Sequence, residues 1–221
     1  MTAIDDKIAI IAGASGLVGS CLLNLLLSDR TYRSVIVLTR KSLKKSHPRL
    51  KEIVVSFDQL DDVQNELCAD HIYCCLGTTM KKAGSREAFR KVDYQYPLKL
   101  ARVTKHQGAS YFLLISSLGA DKNSMIFYSR TKGDIEESVA RLNFSSYGIF
   151  RPSLILGNRN ERRMGEEISK FIVRIFQFLL VGPLKKYRGV QAESIARAMV
   201  FYAKDDESGI KIIESQEIVN F

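Results

Sequence analysis

The chain has 221 residues and a net charge of +9, and 46% of its residues are apolar. This length suffices for one sizeable α/β core, and the lack of a Pro- or Ser-rich linker predicts a single domain over residues 1–221. No leader-like segment precedes the first apolar stretch and no apolar stretch reaches about 18 residues, so we expect a cytoplasmic protein without a membrane-spanning segment.

The basic residues are spread along the chain and do not form one stripe. They are not interleaved with aromatic residues, and no nucleic-acid-binding module is recognisable, so we expect no nucleic-acid partner. The charge fits an anionic small ligand better. The four cysteines, Cys21, Cys68, Cys74 and Cys75, lack metal-ligand spacing and are predicted to be reduced and structural, with no metal site.

A strand, a glycine turn and a helix open the chain. Residues 8–12 are wholly apolar, as in a parallel strand covered on both faces, and leucines at helical spacing follow the turn. Such a turn lets a pyrophosphate approach N–H groups at the helix N-terminus, although small residues also mark purely structural turns. The predicted dinucleotide contacts here are Gly13, Ser15, Gly16, Leu17 and Gly19. Their G-x-x-G-x-x-G spacing is similar to that of extended and atypical short-chain dehydrogenases/reductases.

The second predicted strand, residues 34–39, ends in two basic residues, Arg40 and Lys41. In an NAD-preferring fold, an acidic residue at this place accepts hydrogen bonds from the adenosine ribose, whereas a basic one accommodates a 2′-phosphate. Arg40, supported by Lys41, therefore predicts NADP(H) as the cofactor. The alternative is a solvated basic loop that continues to Arg49.

The third and fourth predicted strands supply further candidate contacts. Asp58 follows residues 53–57 at the place where such folds meet the adenine ring, so it is either a cofactor contact or a helix N-cap. Residues 71–76 form the fourth strand, whose carboxyl end opens into the crevice where open α/β sheets bind ligands. The predicted contacts at that end are Leu76, Gly77 and Thr78.

The rest of the chain continues the alternation of strands and helices. Predicted helices cover residues 86–108, 128–142, 166–181 and 192–203, predicted strands cover 111–115, 146–150 and 209–213, and residues 80–86 are a predicted loop. Pro97 marks a kink or a new start in the first of these helices. The fold class is therefore α/β, a doubly wound and mainly parallel Rossmann sheet flanked by helices, with residues from about 154 to 221 helping to close the site. The turn after 146–150 adds three predicted cofactor contacts, Arg151, Pro152 and Ser153.

Tyr128 and Lys132 lie one helical turn apart, one loop after a strand that ends in Ser116 and Ser117. An ammonium group near a phenol stabilises the phenolate and so assists proton transfer by Tyr128, and Lys132 would also hold the nicotinamide ribose. A serine hydroxyl would stabilise the substrate oxygen, and we favour Ser117 because it lies farther into the mouth of the crevice. These three residues are the predicted catalytic set. The alternative is a surface tyrosine with a solvated lysine.

Three segments carry a family resemblance: residues 74–84 (CCLGTTMKKAG), 112–136 (FLLISSLGADKNSMIFYSRTKGDIE) and 147–163 (YGIFRPSLILGNRNERR). They resemble the Tat-interacting-protein, or metastasis-suppressor, family of atypical short-chain dehydrogenases/reductases. The resemblance implies an NADP(H)-binding Rossmann fold with a Ser-Tyr-Lys set and an unknown substrate. Two features depart from well-studied reductases and epimerases, because Asp93 stands where many extended members place Asn and the large C-terminal substrate domain is missing.

Two classes of function are consistent with these features. The first is an NADPH-dependent reductase or epimerase-like enzyme that acts on an unidentified small carbonyl substrate. The second is a regulatory module that binds NADPH without turnover. A third interpretation takes residues 171–181 and the basic residues that follow as a membrane-surface helix, against an ordinary buried or subunit-contact helix. The sequence leaves a homodimer open.

Overall fold

A computed structural model describes residues 6–157, 189–205 and 207–221 of the chain. Its strands, in chain order, are β1 (Lys7–Ala12), β2 (Tyr32–Thr39), β3 (Leu50–Val54), β4 (His71–Cys74), β5 (Tyr111–Ile115), β6 (Ser146–Arg151), β7 (Ile155–Leu156), β8 (Val190–Gln191) and β9 (Gly209–Glu214). Strands β7 and β8 form a separate parallel pair. The other seven form one sheet in the order β3-β2-β1-β4-β5-β6-β9, with every neighbouring pair parallel. The predicted parallel sheet is confirmed.

Helices cover both faces of this sheet. In chain order they are α1 (Leu17–Ser28), α2 (Met80–Ala83), α3 (Arg86–Arg90), α4 (Tyr96–His106), α5 (Phe127–Ala140), α6 (Ala192–Ala203) and α7 (Ser215–Ile218). A 3₁₀ helix, Phe57–Glu66, follows β3, and a π turn, Lys91–Gln95, joins α3 to α4. Ile11 packs with α1 and α6, whereas Ile10 packs on the other face with the 3₁₀ helix, α4 and α5. This two-sided burial explains why β1 is wholly apolar.

The third strand lies three residues earlier in the chain than the predicted residues 53–57. Arg49, just before β3, donates guanidinium hydrogen bonds to three backbone carbonyls around the end of α1 and the start of β2. These bonds fix the entry of the strand, so that Leu50 is the first residue paired with β2. Phe57 does not belong to this strand. Its apolar side chain is buried in the first turn of the 3₁₀ helix instead.

The helical stretch predicted over residues 86–108 is present but not uniform. Pro97 has no N–H to donate to the carbonyl of Asp93, and the helix widens into the π turn immediately before it. Asp93 lies in this turn with its side chain buried. A further difference is α2, a single helical turn capped by Thr79 within residues predicted as a loop.

Some predictions concern residues outside the described ranges. They include the helix over 166–181, with its membrane-surface interpretation over 171–181, and much of the segment expected to close the site. Among the helices that the structure does describe, none combines the length and apolar character needed to cross a lipid bilayer. Strand β9 lies at the edge of the sheet, as predicted.

Candidate functional site

The carboxyl ends of the parallel strands meet at one edge of the sheet, and the end of β1 carries the glycine turn. Gly13 follows β1 with a φ of +92°, a conformation that favours glycine. A Cβ atom at Gly13 would lie 2.5 Å from the Cys75 carbonyl oxygen, and one at Gly19 would lie 2.1 Å from the Gly13 carbonyl oxygen. The turn therefore packs against the exit of β4 and α1 packs against the turn, so packing alone requires both glycines.

Gly16 is the glycine of this turn that packing constrains least. It is the N-cap of α1, and its φ of −82° suits any residue. No described side chain caps α1, and its first turn carries no acidic residue. Backbone N–H groups at such a helix start form a site for a phosphate anion, and Ser15 beside them is exposed. A Cβ atom at Gly157 would lie 3.2 Å from the Leu17 side chain, so Leu17 joins the turn to the end of β7.

Arg40 and Lys41 follow β2 and are exposed. Thr39 Oγ1 donates a hydrogen bond to the Lys41 carbonyl at 2.7 Å, which fixes the backbone of this turn. No ion pair joins Arg40 to an acidic side chain in the part of the chain that the structure describes. Arg33, at the other end of the same strand, is 3.3 Å from Asp6. Within the described residues, the Arg40 guanidinium is thus without an ion-pair partner, at the edge of the sheet where the carboxyl ends of the strands meet.

Asp58 lies inside the 3₁₀ helix, and Ser56 is its N-cap, accepting the Asp58 N–H. The N-cap alternative for Asp58 is therefore wrong. Its carboxylate lies 2.9 Å from Lys91 Nζ and accepts the Tyr96 hydroxyl at 3.1 Å. The hydrogen bond from Lys91 is the main cause that lowers the pKa of Asp58. These bonds tie the 3₁₀ helix to the π turn and to the start of α4. A contact from Asp58 to a cofactor stays a prediction.

A buried ion pair lies at the carboxyl end of β4. Lys132 Nζ is 2.7 Å from Asp93 Oδ1, and the two side chains are 6% and 1% exposed. The other carboxylate oxygen of Asp93 accepts the Thr78 N–H at 2.9 Å. A Cβ atom at Gly77 would lie 3.5 Å from Asp93 Oδ1 and 3.9 Å from Lys132 Nζ. The structure therefore brings three predicted site residues together, and the bare backbone of Gly77 leaves room beside the ammonium.

The charge of Lys132 depends on this partner. Burial lowers the pKa of Lys132, but its charged surroundings, the Asp93 carboxylate first, outweigh burial and raise that pKa. Lys132 is therefore an ammonium at neutral pH. The ring of Tyr128 packs against Phe89, with the two ring centroids 5.5 Å apart. Cys74, the last residue of β4, has its pKa raised to about 12, mainly by burial.

Ser116 and Ser117 follow β5 directly, and both are buried. Ser117 Oγ donates a hydrogen bond to the Leu118 carbonyl at 3.1 Å. Among the described residues Ser116 Oγ has no hydrogen-bond partner. The catalytic role of Ser117 stays a prediction, and the uncommitted hydroxyl of Ser116 keeps that residue a candidate beside it.

The turn after β6 is held by contacts within the protein. The Arg151 guanidinium forms two hydrogen bonds with the Glu136 carboxylate, at 3.0 and 2.5 Å, and these bonds are the main cause that raises the pKa of Arg151. The Pro152 carbonyl accepts the Leu118 N–H, and the Ser153 N–H donates to Ser215 Oγ. In its predicted cofactor role, the Arg151 guanidinium would therefore have to donate to the ligand as well as to Glu136.

Two residues of this region were not predicted as site residues, Asp93 and Glu136. Asp93 was noted only as a departure from the Asn of related enzymes, yet it is the counter-ion of Lys132. A signal was present, because a lysine in a buried helix face requires an acidic partner. Within the described residues no cluster of His, Cys, Asp and Glu is suited to hold a metal ion.

Sequence comparisons identify relatives along nearly the whole chain. The model of the NAD dependent epimerase/dehydratase family matches residues 9–214. Protein HTATIP2 of Rattus norvegicus is 32% identical over 222 residues, which cover 98% of this chain and 90% of that protein. Protein FMP52, mitochondrial, of Eremothecium gossypii is 30% identical over 221 residues, which cover 96% of each chain.

Solved structures share the fold at low sequence identity. The ADP-L-glycero-D-manno-heptose-6-epimerase of Helicobacter pylori has a TM-score of 0.70 at 18% identity, covering 98% of this chain and 81% of that one. The UDP-glucose 4-epimerase of Thermotoga maritima has a TM-score of 0.68 at 17% identity, covering 96% and 80%. These structures show the fold, and the sequence matches show the family: the chain belongs to the NAD-dependent epimerase/dehydratase family and, within it, to the HTATIP2-like atypical short-chain dehydrogenases/reductases.

Proposed function

We propose that the protein is an NADP(H)-dependent oxidoreductase, a reductase or epimerase-like enzyme that acts on an unidentified small carbonyl substrate. The observation that carries this proposal is the buried pair of Lys132 and Asp93 beside the bare backbone of Gly77, one helical turn from Tyr128. Burying two charges is costly, so such a pair at a ligand-binding sheet edge supports a functional role. The structural neighbour WbmH of Bordetella bronchiseptica, with a TM-score of 0.69, was solved in complex with NAD+, which supports the class of cofactor.

The described residues fit a dinucleotide at three points along this edge. The start of α1, which no described side chain caps, suits the pyrophosphate, and Gly77 leaves room for the nicotinamide ribose, whose hydroxyls would accept from Lys132. At the adenosine end, Arg40 would bind the 2′-phosphate by a charge-assisted hydrogen bond. When bound, the cofactor supplies the hydride for reduction.

The chain's own residues supply the proton. Tyr128 would donate its phenolic proton to the substrate oxygen, and the Lys132 ammonium would stabilise the phenolate that remains. A hydroxyl after β5, from Ser117 in our assignment, would stabilise the same oxygen as its charge develops. Substrate turnover by the purified protein, measured as NADPH oxidation over a panel of aldehydes, ketones and nucleotide sugars, tests this assignment.

We expect Arg40→Ala to raise the dissociation constant of NADPH by about 10- to 100-fold, because a charge-assisted bond contributes about 1.5 to 3 kcal/mol. The dissociation constant of NADH should stay within about twofold, because NADH has no 2′-phosphate. Cofactor titrations by fluorescence measure both. Arg33→Ala is the matched control, since Arg33 lies at the opposite end of the same strand. Equal affinities of the wild type for the two cofactors would contradict the NADP(H) assignment.

We expect Gly77→Ala to weaken NADPH binding by about tenfold or more, because the added methyl group would occupy the space beside Lys132 Nζ. The fold should tolerate this change, since contacts of 3.5 and 3.9 Å are ordinary van der Waals distances. Calorimetric NADPH titration and thermal unfolding measure the two effects separately. Unchanged affinity in a stable variant would show that the ribose does not approach Gly77.

One observation favours the alternative, a regulatory module that binds NADPH without turnover. The hydroxyl of Ser117 already donates to the Leu118 carbonyl, so it would have to rotate before it could donate to a substrate. NADPH binding combined with no oxidation across the substrate panel would support this alternative over the enzyme.

We propose the cytoplasm as the location. The FMP52 relatives are named as mitochondrial proteins, so mitochondria are the competing compartment. Cell fractionation with antibodies against the untagged protein distinguishes the two.

A further inference from the structure

Large apolar side chains lie exposed on the loops at one edge of the sheet. Met80 begins α2 after β4, Met125 and Ile126 lie between β5 and α5, and Leu154 follows β6, so all four lie beyond the carboxyl ends of strands. Their exposed fractions are 38%, 92%, 66% and 50% in that order. Among the described residues, the loops that lead into the amino ends of the strands carry no exposed apolar side chain of this size. We call these four residues the apolar rim.

Contacts between helices place the start of α5, where the rim is most exposed, beside α3. The ring of Phe89 on α3 lies 5.9 Å from the ring of Phe127, the first residue of α5. The Arg86 guanidinium lies over the same Phe127 ring, 5.3 Å from its centroid. Helix α2, which begins with Met80, packs against α3 as well. Three of the four rim residues therefore belong to one group of packed segments.

The segment that forms α2 and α3 is strongly basic. Residues 80–91 contain five lysines and arginines and a single acidic residue, Glu87. Two of these cations form ion pairs with acidic side chains of other segments. The other three, Lys81, Lys82 and Arg86, are exposed. The apolar rim is therefore bordered by exposed cations.

An anionic lipid surface complements this combination of charge and apolar area. Apolar side chains leave water when they enter the boundary between headgroups and acyl chains, and cations are attracted to anionic headgroups. The rim residues come from three separate loops. A fluid lipid layer accepts such side chains one by one, whereas a protein partner would need a fixed pocket for each.

We propose that the apolar rim and the basic segment over residues 80–91 bind the surface of an anionic lipid bilayer. Binding of this kind places the protein on the bilayer and requires no spanning helix. It turns the carboxyl edge of the sheet, and with it the candidate functional site, toward the lipid. The interaction depends on neither turnover nor a bound cofactor, so it is tested independently of the proposed function.

The chain contains no tryptophan, so Met125→Trp introduces a single fluorescent reporter into the rim. Its emission is recorded with vesicles of phosphatidylcholine alone and with vesicles that also contain about 30% phosphatidylserine. We expect a shift to shorter wavelength with the anionic vesicles, because the indole ring leaves water. Ile210→Trp is the matched control, since Ile210 is 56% exposed near the amino end of β9. Its emission should not change.

Sedimentation of the full-length chain with the same anionic vesicles measures the partition coefficient. Met125→Ser/Ile126→Ser should lower it by about tenfold or more, because two apolar side chains no longer enter the lipid. Lys81→Gln should lower it by about fivefold, which corresponds to one cation near an anionic surface. The matched controls Ile210→Ser and Arg30→Gln lie toward the opposite edge of the sheet and should change it by less than about twofold. Thermal unfolding shows that each variant is folded.

A wild-type protein that stays in solution when the anionic vesicles are sedimented would overturn the proposal. Equal emission shifts of the Met125→Trp and Ile210→Trp proteins would also overturn it, because the rim would then have no special part in binding. If the emission of Met125→Trp instead shifts with increasing protein concentration in the absence of vesicles, the rim is a contact between two copies of the chain and the proposal is wrong.

Discussion

We expect Tyr128→Phe to lower kcat for any carbonyl substrate of this protein by about 10² to 10⁴-fold, because the variant lacks the group that protonates the substrate oxygen. The ring packing against Phe89 is kept, so the fold and the site for the cofactor stay intact. The dissociation constant of NADPH should therefore change by less than about twofold. Steady-state kinetics and NADPH titration on the same preparation measure the two quantities.

A matched control separates loss of this hydroxyl from loss of any half-buried tyrosine hydroxyl. Tyr111 begins β5 at the opposite edge of the sheet, and its hydroxyl donates to the Asp205 carbonyl at 3.0 Å. Tyr111→Phe should leave kcat unchanged. If Tyr128→Phe reduces the substrate at the wild-type rate, the catalytic assignment is wrong, and the regulatory module becomes the better proposal.

The parts of the fold that follow from local pattern were predictable from the sequence. The run of apolar residues in β1 indicates a strand covered on both faces, and the glycines after it indicate a tight turn into α1. The structure adds which of these glycines are required by packing. Gly13 and Gly19 are required by contacts to neighbouring backbone, whereas among the described residues a Cβ atom at Gly16 would meet only the Gly13 carbonyl oxygen, at 3.3 Å. Gly16 is therefore the glycine whose replacement best separates cofactor binding from folding.

Features that depend on contacts between distant segments were not predictable in this way. The apolar Phe57, two residues after Val55, is typical of the end of a strand. The position of β3 is instead set by Arg49 and its bonds to backbone carbonyls of an earlier segment. Likewise, the four-residue spacing of Tyr128 and Lys132 indicates that both side chains lie on one face of a helix. It does not show which residues pack against that face. Asp93 lies 39 positions before Lys132, and only the fold brings the two together.

The second large effect concerns the stability of the fold. We expect Asp93→Asn to lower the free energy of unfolding at neutral pH by about 3 to 5 kcal/mol, because it leaves the buried Lys132 ammonium without a counter-ion. The new amide oxygen can still accept the Thr78 N–H, so the lost charge causes the effect. Denaturant unfolding of the variant and the wild type near pH 7 measures it.

The pH dependence of stability should change sign in this variant. In the wild type the pKa of Lys132 is raised above its value in the unfolded chain, so the pair's stabilisation is complete at neutral pH and is lost as the pH rises through that raised value. In Asp93→Asn, burial without a counter-ion lowers the pKa of Lys132 in the folded state. The unfolded chain then binds more protons, and stability increases as the pH rises toward the ordinary lysine value of about 10.4.

Unfolding curves at several pH values between about pH 7 and pH 9 distinguish these two behaviours. The double variant Asp93→Asn/Lys132→Met is the control, because it removes the buried charge altogether and should recover most of the lost stability without a rise in stability over this range. An Asp93→Asn protein that is as stable as the wild type at neutral pH would contradict the burial of a charged Lys132. A loss of stability that is the same at every pH would instead assign the effect to packing around Asp93. Only a titrating lysine makes the free energy of unfolding increase with pH in this range.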